Sequence, residues 1–397
     1  MTTTCDILIV GAGPAGLSLA RSLARSGLEV AIVEQADLDS LKNPAPDGRA
    51  IALNHASMTI LERLDAAPRI APEHRSALKR AEVLDGPMDA GAPVSLVFDS
   101  ARRNAETLGW LVPNHAIRRA LFESFAHTGD ARLMTGLKAE AVRPVAGGVQ
   151  VTLSDGAVME ARLLVAADTR FSGLRRQMGI SAFMHDFGRT MIVTDMAHEK
   201  PHGGTALECF FHDMTVATLP LSGDRSSIVL TVKSHEADAI MAMDPQRLAR
   251  DVAAKLAGRL GALTPEGPRH AYPLVAVYAH AFHGDRFALA GDAAVGMHPV
   301  TAHGFNFGLQ SQNLLAGEVL AAHRLGLDIG AADVLQRYDR AHRRSTFALF
   351  HATNGIASLY SNDSPPARFL RQAGLRIASR LPPLQHMVVS RLLAGPR

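Results

Sequence analysis

An apolar run, DILIV at 6–10, leads straight into GAGPAG at 11–16. A short apolar run bounded by glycine reads as a buried parallel strand. LSLARSLARSG follows with its apolar residues at helical spacing, and EVAIVE at 29–34 is a second apolar run. Strand, helix and strand in that order predict a βαβ unit. VSLVF at 94–98 and VQVTL at 149–153 are further strand-like runs. LLVAAD at 163–168 and RFALAGD at 286–292 are buried strands that each end on an acid. From about 183 to 233 the pattern changes to longer alternation: MIVTDMA, LECFFH, MTVATLPL and SSIVLTV. Period-two alternation predicts an antiparallel sheet with one buried face. After Gly304 the spacing is helical to the end of the chain. Repeats, low-complexity tracts and flexible linkers are missing, so the two sheets are expected to be interleaved parts of one body.

Composition narrows the class. The 397 residues are 47% hydrophobic and 20% charged, as in a folded globular protein. A net charge of +3 is too small an excess to argue for nucleic acid. Cys5 and Cys209 form no disulfide framework and have no metal-ligand spacing, which points to a reducing compartment. The start of the chain enters a strand at once and lacks a signal peptide's basic start, and no apolar run is long enough to span a membrane. A cytoplasmic location is expected. From Pro365 onward six arginines and no acid are interspersed with leucines. Residues 365–397 read either as a helical hairpin packed on the body or as an element docking on a membrane surface or partner.

GAGPAG carries the first chemistry. Gly11, Gly13 and Gly16 form G-x-G-x-x-G between strand and helix, with Pro14 and Ala15 inside the motif. The first glycine permits the turn, the second lets backbone approach a pyrophosphate, and the third lets helix and strand pack closely. The helix N-terminus then offers N–H groups and a positive dipole end to phosphates. Glu34 ends the second strand, with Gln35 beside it, where an acid accepts hydrogen bonds from ribose hydroxyls. That acid suits an unphosphorylated ribose, so FAD or NAD fits better than NADP. FAD calls for contacts from distant parts of the chain, and the acids Asp168 and Asp292 supply them.

The motifs GAGPAG…E, GRAIALN (48–54), AADTRFSGLRR (166–176) and GDAAVGMHP (291–299), in this order, resemble the single-component FAD aromatic hydroxylases. GWLVPNHAIRRAL (109–121) and the ending LYSNDSPPARFLRQAGL…RLPPL are similar to the ubiquinone-ring hydroxylases of the UbiH, UbiF and UbiM kind, the UbiM type above all. The resemblance implies an α/β (α+β) fold in which a Rossmann-like FAD-binding domain is interleaved with an antiparallel-sheet substrate domain, followed by a C-terminal helical region. Its implied segments are 1–75 (FAD-binding βαβ), 76–100 (first substrate-layer strands), 101–180 (FAD-binding), 181–280 (substrate sheet), 281–330 (FAD-binding) and 331–397 (helical).

The same resemblance implies roles. Asp292 binds the ribityl chain of FAD, and Pro299 lies along the flavin ring. Gly304, Phe305 and Asn306 open a helix toward the pyrimidine end of the ring. Arg49 approaches flavin and pyrophosphate, Arg118 is a second arginine near FAD, and Asp168 with Arg170 serves FAD and the nicotinamide donor. The implied reaction hydroxylates the aromatic ring of a polyprenylated ubiquinone precursor through a flavin C4a-hydroperoxide, with NAD(P)H as donor. Partners would be a lipophilic polyprenyl phenol or quinol and, through 365–397, the inner membrane or a ubiquinone-synthesis complex. A hydroxylase of another lipophilic aromatic, such as a quinolone or polyketide, and an FAD-binding prenyl reductase or assembly protein are the alternatives.

Three departures from the family text stand out. Thr169 replaces the glycine of ADG, and Ser311 replaces an acid after the HPxxGQGxNxG stretch, here His298 to Gly308. His303 stands where glutamine is usual and could bond flavin or substrate or help deprotonate a phenol. With no third ligand nearby in sequence, His298 and His303 are not expected to bind metal.

Overall fold

The computed structural model describes residues 2–86, 94–101, 105–211, 213–361, 364, 366, 371, 373 and 374. The βαβ unit forms as its pattern predicts: strand Thr2–Val10, helix Pro14–Leu23 and strand Val30–Glu34. These strands belong to an eight-stranded sheet whose core is parallel, in the order Phe287–Leu289, Val158–Ala166, Thr2–Val10, Val30–Glu34 and Ala131–Thr135. Ile7, Leu8, Ile9 and Ile32 are fully buried in it, covered on one side by Pro14–Leu23 and the helix Gly304–Arg324. Because the strands are parallel, their C-terminal ends, and with them Gly11, Asp168 and Asp292, gather at one edge. Ligands in open parallel sheets bind at that edge.

The second sheet also has eight strands. It includes Ala182–His198, Thr205–Phe210, Thr215–Pro220 and Arg225–Lys233, where the alternation placed them. It reaches further than the alternation indicates. Arg80–Asp85, Val94–Asp99, Leu263–Ala279 and Val295–Gly296 join it, and Thr205–Phe210 pairs with Arg80–Asp85 in parallel rather than antiparallel. Leu263–Ala279 is a 17-residue strand that carries Pro265, Pro268 and Pro273. Those prolines hide it from a strand pattern. They are tolerated because its other side pairs only with the two-residue strand Val295–Gly296.

One face of this sheet holds a separate core, in which Ile192, Leu207, Cys209 and Leu230 meet Leu248 and Val252 of helix Pro245–Lys255. The opposite face meets the first domain at the loop before strand Ala50–Leu53. A Cβ on Gly48 would lie 2.9 Å from the His270 ring and 3.5 Å from Val193 Cβ. Tyr272 Oη donates to the Asp47 carbonyl at 2.7 Å. Helix Ala332–Ser361 runs along the outside, with Tyr338 and Phe350 fully buried. The arginine-rich stretch 365–397 lies almost entirely outside the described residues.

Candidate FAD site

The glycine loop divides by function. Gly11 has φ +107°, and a Cβ there would come within 2.4 Å of the Ala167 carbonyl oxygen. A Cβ on Gly16 would come within 1.9 Å of the Gly11 oxygen. These two glycines let strand, loop and helix close on one another. Gly13 differs, because a Cβ there would meet nothing within 4 Å. Its backbone conformation is ordinary, at φ −71°. Gly13 therefore keeps open a space that the protein itself does not fill, at the N-terminus of Pro14–Leu23. Pro14 stands at the first helical position, where its missing N–H costs nothing.

Glu34 closes the loop from the side. Its carboxylate accepts from Ala12 N at 2.6 Å and from Ala36 N at 2.9 Å. A carboxylate has about four acceptor positions, so two remain for ribose hydroxyls. Gln35 is exposed and makes no hydrogen bond among the described residues.

The other two strand ends meet this loop. A Cβ on Gly291 (φ +63°) would lie 2.9 Å from Ala15 Cβ, so this segment abuts the glycine-loop helix. Asp292 is bound by Arg170, Nη2 to Oδ2 at 2.9 Å, and Arg170 Nη1 donates to the Val275 carbonyl of the second sheet. Arg175 is buried and donates to the carbonyls of Arg170 and Ala293. Burial raises the Asp168 carboxyl above its usual range, and its Oδ1 is buried without a hydrogen-bond partner. An orphaned buried acceptor beside a glycine loop fits a site completed by a ligand.

The stretch after Asp292 builds a platform. His298, buried, accepts from Val300 N through Nδ1 at 3.2 Å and packs its ring 4.6 Å from Phe187. Burial drives its pKa down to about 4, so it is a neutral positioning group at physiological pH. Pro299 is exposed at the start of a 3₁₀ turn, and the half-buried His303 precedes helix Gly304–Arg324. The first N–H groups of that helix, from Gly304, Phe305 and Asn306, have no helical carbonyl to bond and carry the positive dipole end. Asn306 does more than line the platform. It donates to the carbonyls of Ala52 and Ala302 and accepts from Asn54 N, which locks the helix start to strand Ala50–Leu53.

The Thr169 and Ser311 departures are accommodated locally. Thr169 does not have a positive φ, so no glycine is required, and its hydroxyl accepts from Phe171 N. Ser311 is fully buried, accepting from Gly291 N and donating to the Gly308 carbonyl. It ties the platform helix to the Asp292 segment without a charge. Ala302 departs from the family text as well, standing at φ +53° where that text has glycine. A left-handed non-glycine residue is strained. Ala302→Gly is expected to raise stability by about 1 kcal/mol, measured by urea denaturation.

The two arginines behave differently. Arg49 is held by Asp47 (Nη2 to Oδ2, 2.6 Å) and lies over the Tyr272 ring at 5.3 Å. Asp47 also accepts from Asn114 Nδ2 at 2.7 Å. Burial alone would raise the Asp47 carboxyl, but the hydrogen bonds and charge of Arg49 outweigh it and hold it below the usual range. This clamp has no motif to announce it in the sequence. Arg118, half-buried on helix Asn114–Thr128, makes no hydrogen bond or ion pair among the described residues and is available to an anion. A cavity of about 290 Å³ lined by Met196, Met241, Leu248 and Pro265 lies on the helix-covered face of the second sheet, away from this edge.

The open space at Gly13, the orphaned Asp168 oxygen, the uncommitted Arg118 and the helix start at Gly304 fit FAD. Comparison with known proteins agrees. The model of the family described as FAD binding domain matches residues 4–349. Ubiquinone hydroxylase UbiM of Neisseria meningitidis is 42% identical over 99% of this chain and 85% of its own length. Ubiquinone hydroxylase UbiL of Rhodospirillum rubrum is 34% identical over 96% of this chain and 88% of its own. A mutant of PqsL from P. aeruginosa superposes with a TM-score of 0.79 at 22% identity, covering 94% of this chain and all of that one, which shows the shared fold. The chain is an FAD-binding monooxygenase and belongs to the ubiquinone hydroxylase family.

Proposed function

We propose that the protein hydroxylates the aromatic ring of a polyprenylated ubiquinone precursor, using NAD(P)H as electron donor. The observation that carries this reading is that the platform from Asp292 to Asn306 adjoins the second sheet, Val295–Gly296 pairing with Leu263–Ala279 and His298 packing on Phe187, while the Gly48 loop meets the same sheet at His270. Between them an aromatic ring can lie against the flavin with water excluded. FAD, when bound, supplies the oxygen chemistry.

The chain's own residues position and stabilise. Gly13 admits the pyrophosphate, and Glu34 receives the ribose. Asp292, steadied by Arg170, holds the ribityl chain, and Arg118 and Arg49 offset phosphate charge. The helix start at Gly304–Asn306 stabilises negative charge at the pyrimidine edge. Asp168 and Arg170 stand where the nicotinamide donor would approach, and Pro299 lies along the flavin. His303 faces the ring edge as a bonding group for flavin or substrate. If it acts chemically, His303→Gln raises the hydrogen peroxide released per product, while unchanged coupling makes it a spacer. No helix among the described residues is long and apolar enough to cross a membrane. We assign membrane or complex contact to 365–397, and removing that stretch from the full chain should lower membrane fractionation without loss of flavin. Deleting the gene tests the whole reading: a hydroxylation precursor of ubiquinone accumulates, and unaltered ubiquinone with no precursor contradicts it.

A further inference from the structure

One row of residues across the flavin-side face of the second sheet carries a single carboxyl. Residues directly opposed across strands share a face. The register therefore sets His270, Val193, Val229, Ala217, Glu208 and Val83 in one row. Val193 and His270 are the residues that meet Gly48, so the row looks toward the loop that carries Arg49. Leu207 and Cys209, on either side of Glu208, point the opposite way into the helix-covered core. Glu208 is thus the only carboxyl in a row of mainly small apolar side chains.

Its carboxyl has no hydrogen bond or ion pair among the described residues, and burial alone pushes it up to about 8. The titratable groups nearest on this face are Asp85, in the next row, and Tyr360 with Arg371, which reach the sheet over Phe210. His270 and Asp195 lie at the far end, near the Gly48 loop, and Glu82 and Arg259 pair with one another beside the other core. None of these pairs with Glu208. Glu208 is half-buried, so its unpartnered carboxyl stays open to a molecule that enters along this face.

We propose that Glu208 binds the existing hydroxyl of the phenolic substrate and accepts its proton while the ring is oxygenated. This rests on the reading of the site as a phenol hydroxylase. Starting from the ionised carboxylate, the hydroxyl O–H bond breaks as the carboxyl O–H bond forms, and the electron pair stays on the ring oxygen and enriches the ring. One atom of dioxygen then bonds to a ring carbon, and the other leaves as water, with two electrons from reduced FAD. When the ring regains aromaticity, its C–H proton departs to solvent and Glu208 returns the first proton to the ring oxygen. Glu208 is a catalytic residue in this scheme because it touches the substrate.

The test uses the FAD-loaded full chain with Glu208→Gln, which keeps the side chain's shape, and Glu208→Asp. With a short-chain 2-prenylphenol, Glu208→Gln is expected to lower hydroxylation about 100-fold and to remove the limb of the pH profile near pH 8, and Glu208→Asp to restore part of it. FAD content and flavin spectrum should match the parent. A second arm needs no turnover. The colour of 4-nitrophenol bound to each protein is followed against pH. In the parent, the phenol and carboxyl titrate as a coupled pair in two steps, and in Glu208→Gln as a single step. A parent that inserts no oxygen but shows the two-step curve overturns the hydroxylase reading and leaves Glu208 a phenol-binding acid. Superimposable nitrophenol curves, or a Glu208→Gln variant with the parent's rate and pH profile, overturn the assignment of Glu208.

Discussion

Gly13→Ala is expected to leave the apoprotein folded with a stability within about 0.5 kcal/mol of the parent, while weakening FAD binding by about 100-fold. The added methyl meets no protein atom within 4 Å, and the residue's φ of −71° suits alanine. All of the cost falls on whatever approaches the loop from outside, and a pyrophosphate against the helix N-terminus is what the motif admits. Gly16→Ala reverses the pattern. Its methyl would sit 1.9 Å from the Gly11 oxygen, so strand and helix must part, and stability falls by several kcal/mol. Urea denaturation of the apoproteins and FAD titration by flavin fluorescence separate the two effects. Equal loss of stability in both variants would mean that the loop is closed at Gly13 as well.

The second large effect is on stability in mild acid. His298 and His342 are buried and neutral, with burial driving their pKa values to about 4 and about 3. His342 is fully buried between Tyr338 and Phe282, and neither ring nitrogen has a hydrogen-bond partner. A histidine with a lowered folded pKa leaves the unfolded chain binding more protons below pH 6.5. Stability is therefore intact above that pH and falls as pH drops toward the folded value, at about 1.4 kcal/mol per pH unit for each group. Glu208 acts in the opposite sense. Its raised pKa makes the folded chain hold a proton that the unfolded chain releases, so its contribution declines as pH rises from the ordinary carboxyl range to about 8. His342→Leu isolates one histidine. Its stability relative to the parent should rise by about 2 kcal/mol between pH 7.5 and pH 5, measured by urea denaturation at each pH. A difference that does not change with pH would show that His342 is not held neutral by the fold.

Much of the candidate site was legible because its features are local. The glycine loop, Glu34 and the acids ending the strands at Asp168 and Asp292 lie within short stretches where residue type and spacing carry the chemistry. The alternation from 183 to 233 located the second sheet for the same reason. What the pattern did not reveal depends on distant pairs. Asp47 gains its meaning from Arg49, Asn114 and Tyr272, the last of them 225 residues away. The strand Leu263–Ala279 is masked by its prolines and exists because one side is nearly unpaired. Glu208 left one trace, an acid inside the apolar run LECFF, and only the cross-strand register shows which surface it faces. Asn306 sits in the flavin stretch by sequence, yet its side chain is spent on holding the helix to Ala52 and Asn54.

The central claim is that these surfaces enclose a phenolic ring for oxygen insertion. Mass spectrometry of 2-prenylphenol turned over by the FAD-loaded protein with NAD(P)H under ¹⁸O-labelled dioxygen tests it most directly. One labelled oxygen per product ring, with the original hydroxyl unlabelled, is the predicted result. A product without label, or flavin oxidation that yields only hydrogen peroxide, would contradict it.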